Sequence, residues 1–160
     1  LTATANSRTL DVVSAVVTPS VVSTFGTDDQ TAELRLVVAG GNNTTQNGDA
    51  VQAELTELEF VVSSGTAADG DITVFNSNGT QIGTNVGSTV TITDQDATTA
   101  GVQGDSIGNA NEVYRIEVAN TAEAIYRLAR NGVTYTINDA NTTTTKLENT
   151  LLIGQYANSN

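Results

Sequence analysis

Apolar residues recur with a period of two along almost the whole chain, the spacing of side chains on one face of a β-strand. The run from Thr9 to Val17, TLDVVSAVV, is rich in β-branched residues and reads as a strand. Pro19 interrupts it, which suits a sheet edge, a bend or a crossing between sheets. Val21 to Phe25 is short and ends at the turn signal Gly26-Thr27-Asp28-Asp29. In Thr31 to Val38, Ala32, Leu34, Leu36 and Val38 alternate with Glu33, Arg35 and Val37, the mark of a half-buried strand. The stretch from Gly40 to Asp49 reads as a polar loop.

Val51 to Val62 carries the most information. Val51, Ala53 and Leu55 share one face, and Leu58, Phe60 and Val62 continue it, but the parity slips by one at Thr56-Glu57. A strand keeps its face across such a slip only through a β-bulge. A helix is the competing reading, since AELTELEF contains helix formers; the β-branched flanks favour the bulged strand. Asp71 to Phe75 and Thr80 to Ile82 flank Asn76-Ser77-Asn78-Gly79, a hairpin signal. Ser88 to Thr93 and Glu112 to Val118 alternate cleanly, and the polar stretch 94–111 between them is long for a connection. Glu123 to Arg130 fits either a helix face or a strand face. Because Asn131-Gly132 then leads into Val133 to Ile137, a hairpin is predicted there. Asn138 to Thr145 is polar, and Lys146 to Tyr156 closes the chain with Leu147, Leu151, Leu152 and Ile153.

About ten strands separated by turn residues predict an all-β fold, an antiparallel β-sandwich of immunoglobulin-like or jelly-roll type. The expected organisation is one domain over 9–156, with an N-terminal extension 1–8 and a tail 157–160. No strict internal repeat points to a solenoid.

Composition narrows the chemistry. The chain has no Cys and no His, so the usual ligands of zinc, haem and iron–sulfur centres are missing, as are Ser-His-Asp and Cys-His nucleophile systems. Phosphate-loop motifs are absent too. Carboxylates suffice for glycosidases, but the few aromatic residues argue against a sugar-processing site; no enzyme activity is expected. With 18 acidic and 6 basic residues, the net charge of −12 repels nucleic acid and anionic membranes. No apolar run approaches the ~18 residues of a membrane span. The chain starts with Leu1 rather than Met, so processing is expected, with any signal peptide already removed.

Oxygen ligands leave calcium as the one candidate cofactor. Asp94, Asp96 and Asp105 supply spaced carboxylates in the long polar stretch, and Asp69-Gly70-Asp71 and Asp28-Asp29 are lesser candidates. The alternative is that these side chains bond local amides in turns. Asn42, Asn43, Asn78 and Asn141 each begin an Asn-x-Ser/Thr sequence in an expected loop and are candidate glycan acceptors. The apolar residues of the first strand, Leu10, Val12, Val13, Val16 and Val17, suit a strand that completes the sheet of a neighbouring copy. The competing reading pairs that strand within its own domain.

The segments TLDVV, VVTPSVV, AELRLVVAGG, VQAELTELEFVVSSG and DITVFNSNGTQIG resemble, as a pattern over about residues 9–120, the immunoglobulin-like β-sandwich domains of prokaryotic cell-surface and S-layer proteins. The run LDVVSAVV is also similar to the globular domains of archaeal flagellins and pilins, although the long apolar helix that drives assembly in those families has no counterpart here. The resemblance implies a secreted, cell-surface structural subunit that forms a homopolymer, a filament or a lattice. A surface adhesin or glycan-binding module is the alternative, with Tyr114, Tyr126 and Tyr135 as its candidate aromatic contacts. A viral capsid or tail decoration protein is a third.

Overall fold

The computed structural model describes residues 15–26, 30–40, 45–46, 49–50, 52–93, 104–107, 112–138, 143–147 and 155–156. These residues form strands and turns and no helix. The strands are β1 (Ala15–Ser23), β2 (Thr31–Gly40), β3 (Thr45–Gln46), β4 (Asp49–Ala50), β5 (Gln52–Ser64), β6 (Ile72–Phe75), β7 (Gln81–Val86), β8 (Thr89–Thr91), β9 (Asp105–Ser106), β10 (Glu112–Val118), β11 (Ile125–Asn138), β12 (Thr143–Lys146) and β13 (Gln155–Tyr156). Every described pairing is antiparallel. The main sheet runs β1-β2-β10-β6-β7-β8-β5-β11-β12, with β13 on β11 and β9 on β5. It is nearly closed into a barrel.

The all-β, antiparallel class is therefore as expected. The layering is less simple than two separate sheets, because one hydrogen-bonded path joins nine of the strands, with β9 and β13 at its side, and only β3 and β4 form a small sheet of their own. The corner of the path is β7. Gln81 to Thr84 face β6, and Asn85 and Val86 face β8. Ile82 is the extra residue opposite the Val74–Phe75 step of β6, and its carbonyl accepts from Thr93 N and Thr93 Oγ1, both at 2.8 Å. Gly83 lets the strands approach: a Cβ there would lie 2.7 Å from both Thr91 O and Val90 Cγ1.

The core is contiguous. Ala32, Leu34 and Leu36 of β2, Tyr114 and Ile116 of β10 and Ile72 and Val74 of β6 pack with Leu55, Leu58, Phe60, Tyr126 and Leu128 from the other half of the path. Full burial of each such aliphatic side chain contributes about 1.5–3 kcal/mol, which is what fixes the face of each strand.

The slip in β5 is a bulge, as its sequence predicts. Leu55 stands opposite Tyr135 and Glu57 opposite Thr134, so Thr56 is the unpaired residue between them. Its hydroxyl donates to Thr134 O at 3.1 Å. Three expectations change. Asn131-Gly132 does not make a hairpin: β11 runs through it as one strand. Leu128 stands opposite Phe60 and Val133 opposite Leu58, so Ala129 to Gly132 bulge out against the single residue Glu59. The would-be Cβ of Gly132 lies 2.4 Å from Glu59 O, so glycine serves close approach here. Pro19 does not interrupt its strand, because β1 is the end of the path and an edge tolerates a missing N–H. Within the polar stretches, β3 pairs with β4, β9 joins β5 and β12 joins β11, since polar residues too can satisfy a ladder.

Candidate functional site

Two buried carboxylate–phenol pairs stand out inside this framework. In the first, Asp105 of β9 is opposite Leu55 of β5 and is buried. Its Oδ2 accepts from the Tyr114 hydroxyl at 3.1 Å, and its Oδ1 accepts from Asn76 Nδ2 at 3.2 Å. Asn76 ends β6. Its own Oδ1 accepts from Asn78 N at 3.1 Å and Thr80 N at 3.0 Å, so one side chain organises the β6–β7 turn and ties it to β9. Ser77 N donates to Glu112 Oε1 at 3.1 Å, the Ser77 hydroxyl donates to the same oxygen, and the turn is thereby joined to β10.

In the second, the Tyr126 hydroxyl donates to Asp71 Oδ2 at 2.5 Å, and Ala68 N donates to the same oxygen at 3.1 Å. Asn85 completes this knot. It accepts from Ile72 N at 2.7 Å and donates to Ala68 O and Gly87 O, both at 2.8 Å. Asp69 Oδ1 accepts from Gly87 N at 2.8 Å.

The electrostatics follow from burial. Loss of water pushes the Tyr114 phenol far above its ordinary value, and the charges of Asp105 and Glu112 and the hydrogen bond to Asp105 push the same way. Burial also raises Tyr126, joined by its hydrogen bond to Asp71 and the Asp71 charge, with a backbone hydrogen bond at Ala68 opposing. Both phenols are thus held neutral, as donors. Each pair works as an internal strut that replaces water around a buried carboxylate.

The candidate residues fall in different places. Asp94 and Asp96 lie outside the described residues, as do Asp28 and Asp29. Asp105 has both oxygens engaged by protein donors, and Asp69 and Asp71 bond turn amides, the alternative the sequence left open for them. Among the described residues no group of three or more His, Cys, Asp or Glu is placed to hold a metal ion. Leu10, Val12 and Val13 lie outside the described residues. Val16 belongs to β1 opposite Ala39, and Val17 is buried opposite Val38. Asn42, Asn43 and Asn141 are outside too, whereas Asn78 is exposed at the tip of the β6–β7 turn. Tyr114, Tyr126 and Tyr135 are all buried, so they form no exposed aromatic platform.

Sequence reasoning missed the Asp71–Asn85–Tyr126 knot. Asn85 sits in QIGTNV with nothing local to mark it as buried, and Tyr126 belongs to a segment with two periodicities. It also missed the apolar surface of the edge strand, where Val21 and Val22 are 37% and 43% exposed. No helix among the described residues is long and apolar enough to cross a membrane. No family model matches the chain, and no curated protein or solved structure is significantly similar to it.

Proposed function

We propose that this chain is an extracellular structural subunit of a cell-surface filament or lattice, and that copies join by β-strand addition using the N-terminal strand. One observation carries this reading. The first described strand, β1, is the end of the sheet path and, among the described residues, is held by β2 alone. From Val17 to Ser23, only Val17 is buried, while Val21 and Val22 face solvent. A terminal strand with its backbone in a ladder and little of itself in the core is the kind of element that pairs between copies.

The finer reading of the fold as a two-layer sandwich belongs with this proposal. It is supported by the corner at β7, since strands that bend from one layer to the other join the sheets of many sandwiches. Placement outside the cell rests on the Thr-, Asn- and Ser-rich composition and on the resemblance to surface domains. The adhesin or glycan-binding alternative is weaker because its three tyrosines are buried.

The test is the assembly state of the purified chain, by light scattering and negative-stain microscopy over a range of salt and calcium concentrations. Ordered filaments or sheets that vanish when residues 1–23, which include all of β1, are deleted are the expected result. A chain that stays monomeric under every condition overturns the proposal.

A further inference from the structure

We propose that β1 is an exchangeable strand: in the isolated chain it caps its own sheet, and on assembly it leaves β2 and takes the same register on β2 of a second copy. The inference rests on the self-assembly reading and specifies its partner and mode.

Four observations point to exchange rather than simple addition at an open edge. First, the strand and its acceptor are already matched, from Ala15 opposite Gly40 to Ser23 opposite Glu33. A second copy offers the identical interface, the general basis of domain swapping. Second, the acceptor stays in place without β1. Ala32, Leu34, Leu36 and Val38 anchor β2 in the core, and Thr31 to Leu36 are held on the far side by β10. Third, the segment Val17 to Ser23 has little to lose on leaving, with Val17 its one buried side chain. The pivot is well placed: Thr24 is exposed, and the next residue, Phe25, is buried, so release need not propagate into the core.

Fourth, Pro19 lies in the middle of β1, opposite Leu36. It has no N–H. A strand adding outside β1 would meet at this position a residue that donates no backbone hydrogen bond, and proline in an edge strand opposes such addition, which favours replacing β1 over extending beyond it.

The register supplies the experiment, because the chain has no native cysteine. Thr18 and Val37 are Cα partners, Thr18 is exposed and Val37 half-buried. Single variants Thr18→Cys and Val37→Cys are mixed in equal amounts, assembled, and treated with a short thiol cross-linker. Exchange predicts covalent heterodimers of the two variants on denaturing gels, with at least a tenfold excess over either variant treated alone. A second readout uses the double variant Thr18→Cys/Val37→Cys. Linked within one chain, it is expected to stay monomeric and to regain assembly when a reducible link is cleaved, with its circular dichroism unchanged. Assembly without inter-copy cross-links, or assembly of the linked chain at the rate of the free one, overturns exchange and leaves the self-assembly proposal standing. Failure of the unmodified chain to assemble overturns both.

Discussion

Tyr126 and Asp71 are separated by 55 positions in sequence and joined by a 2.5 Å hydrogen bond in the core. The bond connects β11 to the turn that precedes β6, and so pins together the two halves of the sheet path. Replacing Tyr126 with Phe removes the donor and leaves Asp71 Oδ2 with only Ala68 N of its two named donors. An under-satisfied buried acceptor costs about 1–3 kcal/mol. Denaturant melts of Tyr126→Phe are expected to show that loss with an unchanged slope. Combination with Asn85→Ala should be less than additive, because Asn85 and Asp71 organise the same turn at Ala68.

The same burial makes a prediction about alkali. Tyr114 and Tyr126 both titrate far above the value of about 10 that a tyrosine has in an unfolded chain. Their folded-state values are raised, so the stability they contribute is fully present below pH ~10. Above that, the unfolded chain releases protons that the native chain keeps, and stability falls as pH rises. Guanidinium melts from neutral pH to alkaline pH are expected to show the fall beginning near the unfolded-chain value. The double variant Tyr114→Phe/Tyr126→Phe should start less stable and decline more gently.

Close approach at two glycines gives a steric ordering. A Cβ at Gly132 would meet Glu59 O at 2.4 Å, and one at Gly83 would meet Thr91 O at 2.7 Å, both backbone atoms that cannot swing away. Gly132→Ala and Gly83→Ala are each expected to cost about 3 kcal/mol, at the upper end for overpacking. Gly79, with a φ of 77° and open space around it, is a control whose alanine variant carries only backbone strain of about 1–2 kcal/mol. Thermal melts that placed Gly79→Ala as the most damaging of the three would refute the bulge packing in β11 and the corner at β7.

Legibility of the fold divides along the same physical line as these effects. Alternation in Thr31 to Val38 and Glu112 to Val118 marked β2 and β10 because each strand buries one face, and burial is written locally in residue type. The parity slip at Thr56 was readable for the same reason. Asn131-Gly132 misled because the dipeptide suits both a tight turn and a wide bulge, and only the position of Glu59 on a distant strand decides between them. The candidate site was less legible. The sequence offers Asp105 only as a candidate calcium ligand, because its partners Asn76 and Tyr114 come from other segments and nothing near Asp105 in sequence names them.

Charge sets the conditions under which copies of this chain should meet. A net charge of −12 on a 16.5 kDa chain opposes the approach of a second copy, whatever strand joins them. Salt shortens the reach of that repulsion to about 10 Å at 0.1 M and about 3 Å at 1 M. Assembly is therefore expected to be slow in dilute buffer and to accelerate severalfold as sodium chloride is raised. The same series separates screening from a calcium site. Calcium chloride at matched ionic strength should do no more than sodium chloride if screening alone operates, because the described carboxylates Asp69, Asp71 and Asp105 already bond protein donors. A saturable acceleration at sub-millimolar calcium would instead place an ion on other oxygens, and substitution of Asp94 and Asp96 with Asn should then abolish it. Light scattering across both titrations makes the distinction, since screening depends on total ionic strength and a bound ion on its own concentration.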